Sequence, residues 1–292
     1  MRIGIVGAEN SHTTIIAKAL NIEKIVAGAE VTHVWGETDD LAQKAAREGA
    51  ISTVVSDPRE MIGSVEAVVV DHRDGQYHLP AAKPFVEAGL PAFVDKPFCT
   101  DLDEGIEFVR FARSRSVPIA SFSTLPLESS ARDLPEALGK IGKLRSLVTA
   151  GPLDIDDRYG GVFFHGVHQV ELMFKLVDAC PISVTAARHG ADGIATIAFD
   201  GGTIGVITCL KDWWGGGGFN VTACGEEGVH HARLISDGPP FHIGAPKFCE
   251  MFRTRVEPDP PRAYLGPVAV LSAMRTSFAT GEPAPVPPVP EF

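Results

Sequence analysis

Two stretches of the 292-residue sequence carry side chains whose type and spacing support chemistry. The first is the opening run Gly4-Ile5-Val6-Gly7-Ala8-Glu9-Asn10-Ser11-His12, an apolar strand that breaks into a helix start. Backbone N–H groups and a helix dipole at such a turn suit an anion such as a pyrophosphate. The dinucleotide fingerprint at this place reads GxGxxG, and only Gly7 keeps it, with Glu9 and His12 at the second and third glycine positions. A side chain at the second position crowds the pyrophosphate and a carboxylate repels it, so the loop predicts an altered dinucleotide mode or none. A ribose-binding carboxylate belongs at the end of the second strand. Trp35 stands there instead, with Glu37 two residues on. Glu37 either bends back to the ribose or is a solvated loop acid, and Trp35 either stacks on adenine or packs.

The second stretch holds His165 and His168, three residues apart and so on one helix face, with Asp154, Asp156 and Asp157 upstream. A divalent cation would find ligands there, yet no metal is assigned. Two histidines at this spacing more often line a polar pocket, and the acidic run reads first as a loop able to hydrogen-bond a polyol. Taken alone, His168 reads as a packed helix histidine. His230 and His231, adjacent on a strand, point to opposite faces and cannot easily share an ion. Asp71-His72-Arg73-Asp74-Gly75 follows the fourth strand, where ligands bind in open α/β sheets. His72, Arg73 and Asp74 there suit an anionic substrate or cofactor phosphate, or else Arg73 and Asp74 form a surface pair. Trp213-Trp214 and Gly215 to Gly218 read as a mobile loop with an aromatic platform, or as tryptophans packed in a sheet.

The elements that must position these groups follow from periodicity. Strands at Arg2 to Val6, Val31 to Trp35, Ala67 to Val70, Pro91 to Val94 and Val117 to Phe122 alternate with helices at about Ser11 to Leu20, Asp39 to Arg47, His78 to Ala88 and Asp101 to Ser114. Strands apolar throughout belong to a parallel sheet covered on both faces. After residue 122 the rhythm changes to consecutive strands at Leu144 to Thr149, Ile182 to Ala187, Ile194 to Phe199, Thr203 to Leu210, Phe219 to Cys224 and His230 to Ile235. Helical runs at Val162 to Leu176 and Tyr264 to Phe278 flank them, and Pro283 to Pro290 reads as an extended surface tail. The expected organisation is a Rossmann-like α/β domain over residues 1–122, then an α+β domain over 123–292 with an open, mainly antiparallel sheet and helices.

Composition sets outer limits. With 45% hydrophobic and 22% charged residues the chain is an ordinary globular sequence. Its net charge of −11 with no basic stripe argues against nucleic acid and anionic membranes as partners. Cys99, Cys180, Cys209, Cys224 and Cys249 are scattered without CxxC spacing and read as reduced thiols. The absence of a signal-like N-terminus or a long apolar span predicts a cytoplasmic protein.

With Phe93-Val94-Asp95-Lys96-Pro97-Phe98 added, the layout resembles the glucose-fructose oxidoreductase, inositol dehydrogenase and MocA family, in which an (E/D)-K-P tripeptide follows the fifth strand. His78 with Ala81 and Ala82, Gly160-Gly161-Val162 through His168, Cys224 to Gly228 and Ser277 to Pro283 resemble further family segments in the right order. The resemblance implies an NAD(P)-dependent oxidoreductase acting on a sugar, polyol or related hydroxy compound, and a homo-oligomer formed through the second domain's sheet. It implies catalysis by Lys96 and His168 with His165 assisting. The implied cofactor-binding residues are Gly7, Glu9, Asn10, Ser11, His12, Trp35, Glu37, His72 and Lys96. The implied substrate-binding residues are Asp154, Asp156, His165 and His168. Oxidising an alcohol needs a base for the hydroxyl proton and a cation for the developing alkoxide. These roles fall to His168 and Lys96, whereas Phe164 stands where the family has an aspartate. That loss and the altered fingerprint leave two alternatives: a redox-inactive ligand-binding or regulatory protein, or an enzyme that recycles a tightly bound NAD.

Overall fold

The computed structural model describes residues 1–213 and 218–292. In chain order the first elements are β1 (Arg2–Val6), α1 (Ser11–Ala17), β2 (Glu30–Trp35), α2 (Asp39–Gly49), β3 (Thr53–Val54), β4 (Ala67–Val70), α3 (His78–Glu87), β5 (Ala92–Val94), α4 (Leu102–Ser114) and β6 (Ile119–Ala120). Then follow α5 (Ser129–Arg132), α6 (Leu134–Leu138), β7 (Leu144–Pro152), α7 (Val162–Leu176), β8 (Pro181–His189), β9 (Asp192–Phe199), β10 (Ile204–Leu210), β11 (Asn220–Gly225), β12 (Val229–Arg233), α8 (Phe241–Thr254), α9 (Arg262–Thr280) and β13 (Ala284–Pro285). Contacts divide the chain into two units. One is Met1–Thr124 with Gly238–Pro261 and Phe292, and the other is Leu125–Asp237 with Arg262–Glu291. Gly238–Pro261, which a single cut at 122 places in the second domain, therefore belongs to the first unit.

The first unit is a six-stranded sheet in the order β3-β2-β1-β4-β5-β6. Each pairing is parallel. The order reverses between β1 and β4, the place where the carboxyl ends of such sheets open a crevice. Ala67–Val70 is buried at every position, as expected of a strand covered on both faces. The helices start where capping residues permit. Thr38 accepts from Leu41 N at 3.3 Å at the start of α2, and Asp101 accepts from Glu104 N at 3.1 Å at the start of α4. The first helix is shorter than its sequence pattern, because Lys18–Ile22 continues it as a wider π-helical turn.

α8 was not foreseen, since Gly244 and Pro246 disfavour a helix interior. Its apolar positions Phe241, Ala245, Phe248 and Phe252 recur at helical spacing and are buried. Phe248 stacks on Phe93 of β5 at 4.7 Å, so burial of aromatic surface outweighs the local cost.

The second unit is a seven-stranded mixed sheet in the order β12-β11-β7-β10-β9-β8-β13. Only the β7–β10 pair is parallel among its described pairings. α7 and α9 pack on each other, α7 also against β7 and β10 and α9 against β8. The proline-rich tail is more than a surface strap, since Ala284 and Pro285 pair with Val184 and Ser183 as an edge strand. An edge tolerates proline because no donor is needed on the outer side.

Candidate active site

The carboxyl ends of β1, β2, β4 and β5 bring together residues up to 85 positions apart. Gly7 turns the chain out of β1 at φ 113°, and a Cβ there would lie 2.6 Å from the backbone carbonyl of Asp71. Only glycine meets both conditions.

After this turn the loop donates N–H groups, and a carboxylate of the chain receives them. Glu37 bends back so that one oxygen, Oε2, accepts from Ala8 N and Glu9 N, both at 2.8 Å. Its other oxygen, Oε1, lies 2.9 Å from His72 Nδ1. Burial opposes the charge on Glu37, but the bonds from His72 and the loop outweigh it and hold the carboxyl below its usual range. Trp35 donates its indole N–H to Ser56 O at 3.2 Å and meets the His72 ring edge-on at 5.7 Å, with Tyr77 beyond. Asp74 caps the short 3-10 turn Gly75–Tyr77 by accepting from Gln76 N at 3.0 Å.

Beneath the loop lies a buried polar cluster. Asp71 directly follows β4, Asp95 directly follows β5, and both are wholly buried. Asn10 caps α1 and donates to Asp71 Oδ1 at 2.8 Å and to Asp95 Oδ2 at 3.2 Å. His12 Nδ1 lies 2.9 Å from Asp95 Oδ2. Thr13 Oγ1 is 2.8 Å from Gly7 O and 2.5 Å from Asp71 Oδ2. One hydroxyl proton cannot serve both acceptors. With Thr13 donating to the Gly7 carbonyl, the short contact requires a proton on Asp71. The electrostatics agree: burial, and then the charge of Asp95, push Asp71 well above its ordinary value. For Asp95 burial works in the same direction, but the His12 ring outweighs it and the carboxyl falls to about 2. One acid is thus neutral and its neighbour ionised.

The ligand atoms of His12, Asp71 and Asp95 lie within 4.8 Å of one another, close enough to hold a cation. The Asn10 amide already spans the two carboxyl groups, so hydrogen bonding accounts for the cluster.

Lys96 follows Asp95 and is 7% exposed, with a cis peptide to Pro97. His78, wholly buried, ties this loop to the preceding one through contacts from Nδ1 to Pro97 O at 2.7 Å and from Nε2 to His72 O at 2.8 Å. Both bonds form together only on a protonated ring, whereas burial lowers the His78 pKa.

On the second unit, His165 and His168 share one face of α7 with ring centroids 6.3 Å apart. Phe164, at the position of the family aspartate, is 8% exposed and packs between Tyr159 at 5.4 Å and His165 at 4.3 Å. Phe219 meets His168 at 5.6 Å. The result is an aromatic ribbon with two imidazoles in it. Asp154 pairs with Lys211 at 2.9 Å, and Asp156 forms a two-pronged pair with Arg188 at 2.6 Å. Of the expected aromatic loop, Trp213 is exposed, while Trp214 to Gly217 lie outside the described residues. Asp71, Asp95 and Thr13 received no role from the sequence. The available signal was position, since each aspartate directly follows an apolar strand of the parallel sheet.

Residues 1–122 match the model of an oxidoreductase family described as having an NAD-binding Rossmann fold. No curated protein sequence matches the chain. Among solved structures, a probable dehydrogenase from Thermotoga maritima is 15% identical, with a TM-score of 0.84 over 98% of this chain and 99% of that one. Scyllo-inositol dehydrogenase from Lactobacillus casei, solved with bound NAD(H) and scyllo-inositol, is 14% identical with a TM-score of 0.82 over 98% and 99%. GenD2 from gentamicin A biosynthesis, in complex with NAD, is 18% identical with a TM-score of 0.85 over 99% and 97%. These likenesses establish the fold across the chain. Among the described residues no helix is long and apolar enough to cross a membrane.

Proposed function

We propose that this chain, whose first 122 residues match the model of the Gfo/Idh/MocA oxidoreductase family, is an NAD-dependent dehydrogenase oxidising a secondary hydroxyl of a sugar, polyol or related compound. The observation that carries the reading is a buried lysine, Lys96, which follows Asp95 just past the end of β5, at the carboxyl edge of the parallel sheet. NAD, when bound, supplies the hydride acceptor. Lys96 stabilises negative charge developing on the substrate oxygen. His168 takes the hydroxyl proton, and His165 on the same helical face assists in binding and orienting the substrate. Asp154 and Asp156, though each is held by a cation, retain lone pairs for polyol hydroxyls.

Two features of the carboxyl edge suit a dinucleotide. Gly7 keeps the tight turn, and Glu37 places a carboxylate beside the loop, where an adenosine ribose finds its acceptor. A carboxylate held in its charged form repels a 2′-phosphate, so NAD is the cofactor rather than NADP. Titration of the purified protein is expected to give NAD at least about tenfold tighter than NADP, corresponding to about 1.4 kcal/mol. A polyol panel with NAD should then yield NADH. Equal affinity for the two cofactors overturns the preference, and failure to bind either overturns the dehydrogenase reading. Phe164 and the engagement of the Ala8 and Glu9 N–H groups favour a second reading, a ligand-binding protein without redox turnover. Binding of a polyol without NADH formation would select it.

The partner is a second copy of the chain. In the second unit, the register places Ile194, Ile204 and Val229 on one face of the sheet. They are 45%, 48% and 55% exposed, with Val206, Thr208, Val148 and Thr222 on the same face. A broad β-branched face in water signals an interface. Ile194→Glu together with Ile204→Glu should convert an oligomer into a 31.1 kDa monomer by light scattering. A wild-type monomer at micromolar concentration sinks this proposal.

A further inference from the structure

The pairing of β4 with β5 ends at Val70 and Val94, and Asp95 N adds one bond more, to Val70 O at 2.8 Å. Past that step the strands part into two loops, one carrying His72 and the other Lys96. The ring of His78 spans the gap. Its Nδ1 lies 2.7 Å from Pro97 O, its Nε2 lies 2.8 Å from His72 O, and the residue is wholly buried. A carbonyl oxygen only accepts, so two contacts this short select a ring with a proton on each nitrogen. Burial lowers the His78 pKa, and the two carbonyls and the charge of Asp95 work against it. The loops also touch directly, since a Cβ on Gly75 would stand 2.7 Å from Pro97 Cγ. Each of the two bonds holds something different. Lys96 sits between Asp95, whose carboxylate is taken by His12 and Asn10, and Pro97, whose carbonyl is taken by His78. Both neighbours of the lysine are thereby fixed. On the other side, Nε2 holds the backbone of His72, and the His72 side chain meets Glu37 Oε1 at 2.9 Å.

We propose that His78 is a positioning residue for hydride transfer, fixing Lys96 through Pro97 and the Glu37 carboxylate through His72, so that one buried ring sets the catalytic loop and the cofactor loop together. It acts through two carbonyls and supplies no group to the reaction. Such bracing has kinetic weight, because a shift of about 1 Å at a reacting group costs up to about a hundredfold in rate. The inference rests on the dehydrogenase reading above and goes beyond it by giving a residue outside the reacting groups two separable effects.

The test separates the two bonds with His78→Asn and His78→Gln. The Asn amide nitrogen falls near the place of Nδ1 and keeps Pro97, whereas the longer Gln side chain brings its amide near the place of Nε2 and keeps His72. Each variant strands one buried carbonyl, so a role confined to folding predicts equal losses in the two. Positioning predicts a split. His78→Gln should lower kcat by about ten- to a hundredfold while NAD affinity falls by less than about threefold. His78→Asn should weaken NAD by about three- to tenfold, with the smaller loss in kcat. Calorimetry with NAD and steady-state NADH formation on the polyol panel measure the split. Hydrogen exchange of the unliganded protein supplies a readout free of turnover: Gln should speed exchange more in residues 95–99, and Asn more in residues 71–76. Losses in the same proportion in both variants, with equal exchange in the two segments, overturn the inference, and so does wild-type behaviour in both. A wild type that forms no NADH overturns the dehydrogenase reading and the role in hydride transfer with it. Wild-type turnover without a split between the variants removes only the positioning role.

Discussion

Lys96→Met is expected to lower turnover by on the order of a hundred- to a thousandfold while leaving NAD binding and the melting temperature close to those of the wild type. Methionine retains the apolar stem that lets a lysine side chain sit 7% exposed, and it removes only the ammonium head. The magnitude is that of removing one preorganised group that stabilises developing oxyanion charge. The ionised Asp95 beside Lys96 cannot substitute for it, because a carboxylate repels the negative charge that develops on the substrate oxygen. Steady-state NADH formation on a substrate found in the polyol panel measures the loss, and calorimetry with NAD separates chemistry from cofactor binding. Undiminished turnover in the folded variant removes Lys96 from the chemistry. A fall in NAD affinity matching the fall in turnover would make it a cofactor-positioning residue.

The layout that brings these residues together was legible because the parallel strands are apolar throughout. Ala67–Val70 has only one packing solution, and runs of that kind separated by amphipathic helices dictate a doubly covered sheet. Legibility ended where the structure depends on pairing across that sheet. His12 and Asp95 are 83 positions apart, and no spacing rule joins them. Their contact follows from the adjacency of β1, β4 and β5 and from a histidine at a position where a glycine would have left a gap. Glu37 was readable as a ribose acceptor or a solvated acid, but not as the acceptor of the loop's own N–H groups. That depends on how Gly36 lets the chain turn, with Ala8 Cβ only 2.8 Å from where a Cβ would stand. α8 was hidden by Gly244 and Pro246, and its signal was the spacing of Phe241, Phe248 and Phe252. In the second unit, Val162–Leu176 was readable to the residue, yet the filling of the aspartate position by an aromatic contact needed Tyr159, from outside the helix.

Asp71→Asn and Asp95→Asn, chemically the same change a few ångströms apart, are expected to act with opposite sign. Asp71 is a neutral acid that donates to Thr13 and accepts from Asn10. An asparagine amide reproduces both bonds, its NH2 replacing the acid proton. The folded pKa of Asp71 lies above its unfolded value of about 3.9. The native state therefore holds a proton that the unfolded chain releases above about pH 4, and stability declines as pH rises from there toward the folded pKa. Asn removes that decline, so Asp71→Asn should match or exceed wild-type stability at pH 7 and lose the advantage below about pH 4. Asp95 runs the other way. Its folded pKa is about 2, so its contribution is complete above about pH 4 and disappears as pH falls toward 2. Asp95→Asn leaves His12 without its anion and should cost about 3 kcal/mol at pH 7, the order expected when one member of a buried pair is removed. Denaturant unfolding of the three proteins at pH 3 and pH 7 measures both effects. Equal destabilisation by the two substitutions at pH 7 would mean that the proton is shared or sits on Asp95, and the assignment of one neutral and one ionised acid would fall.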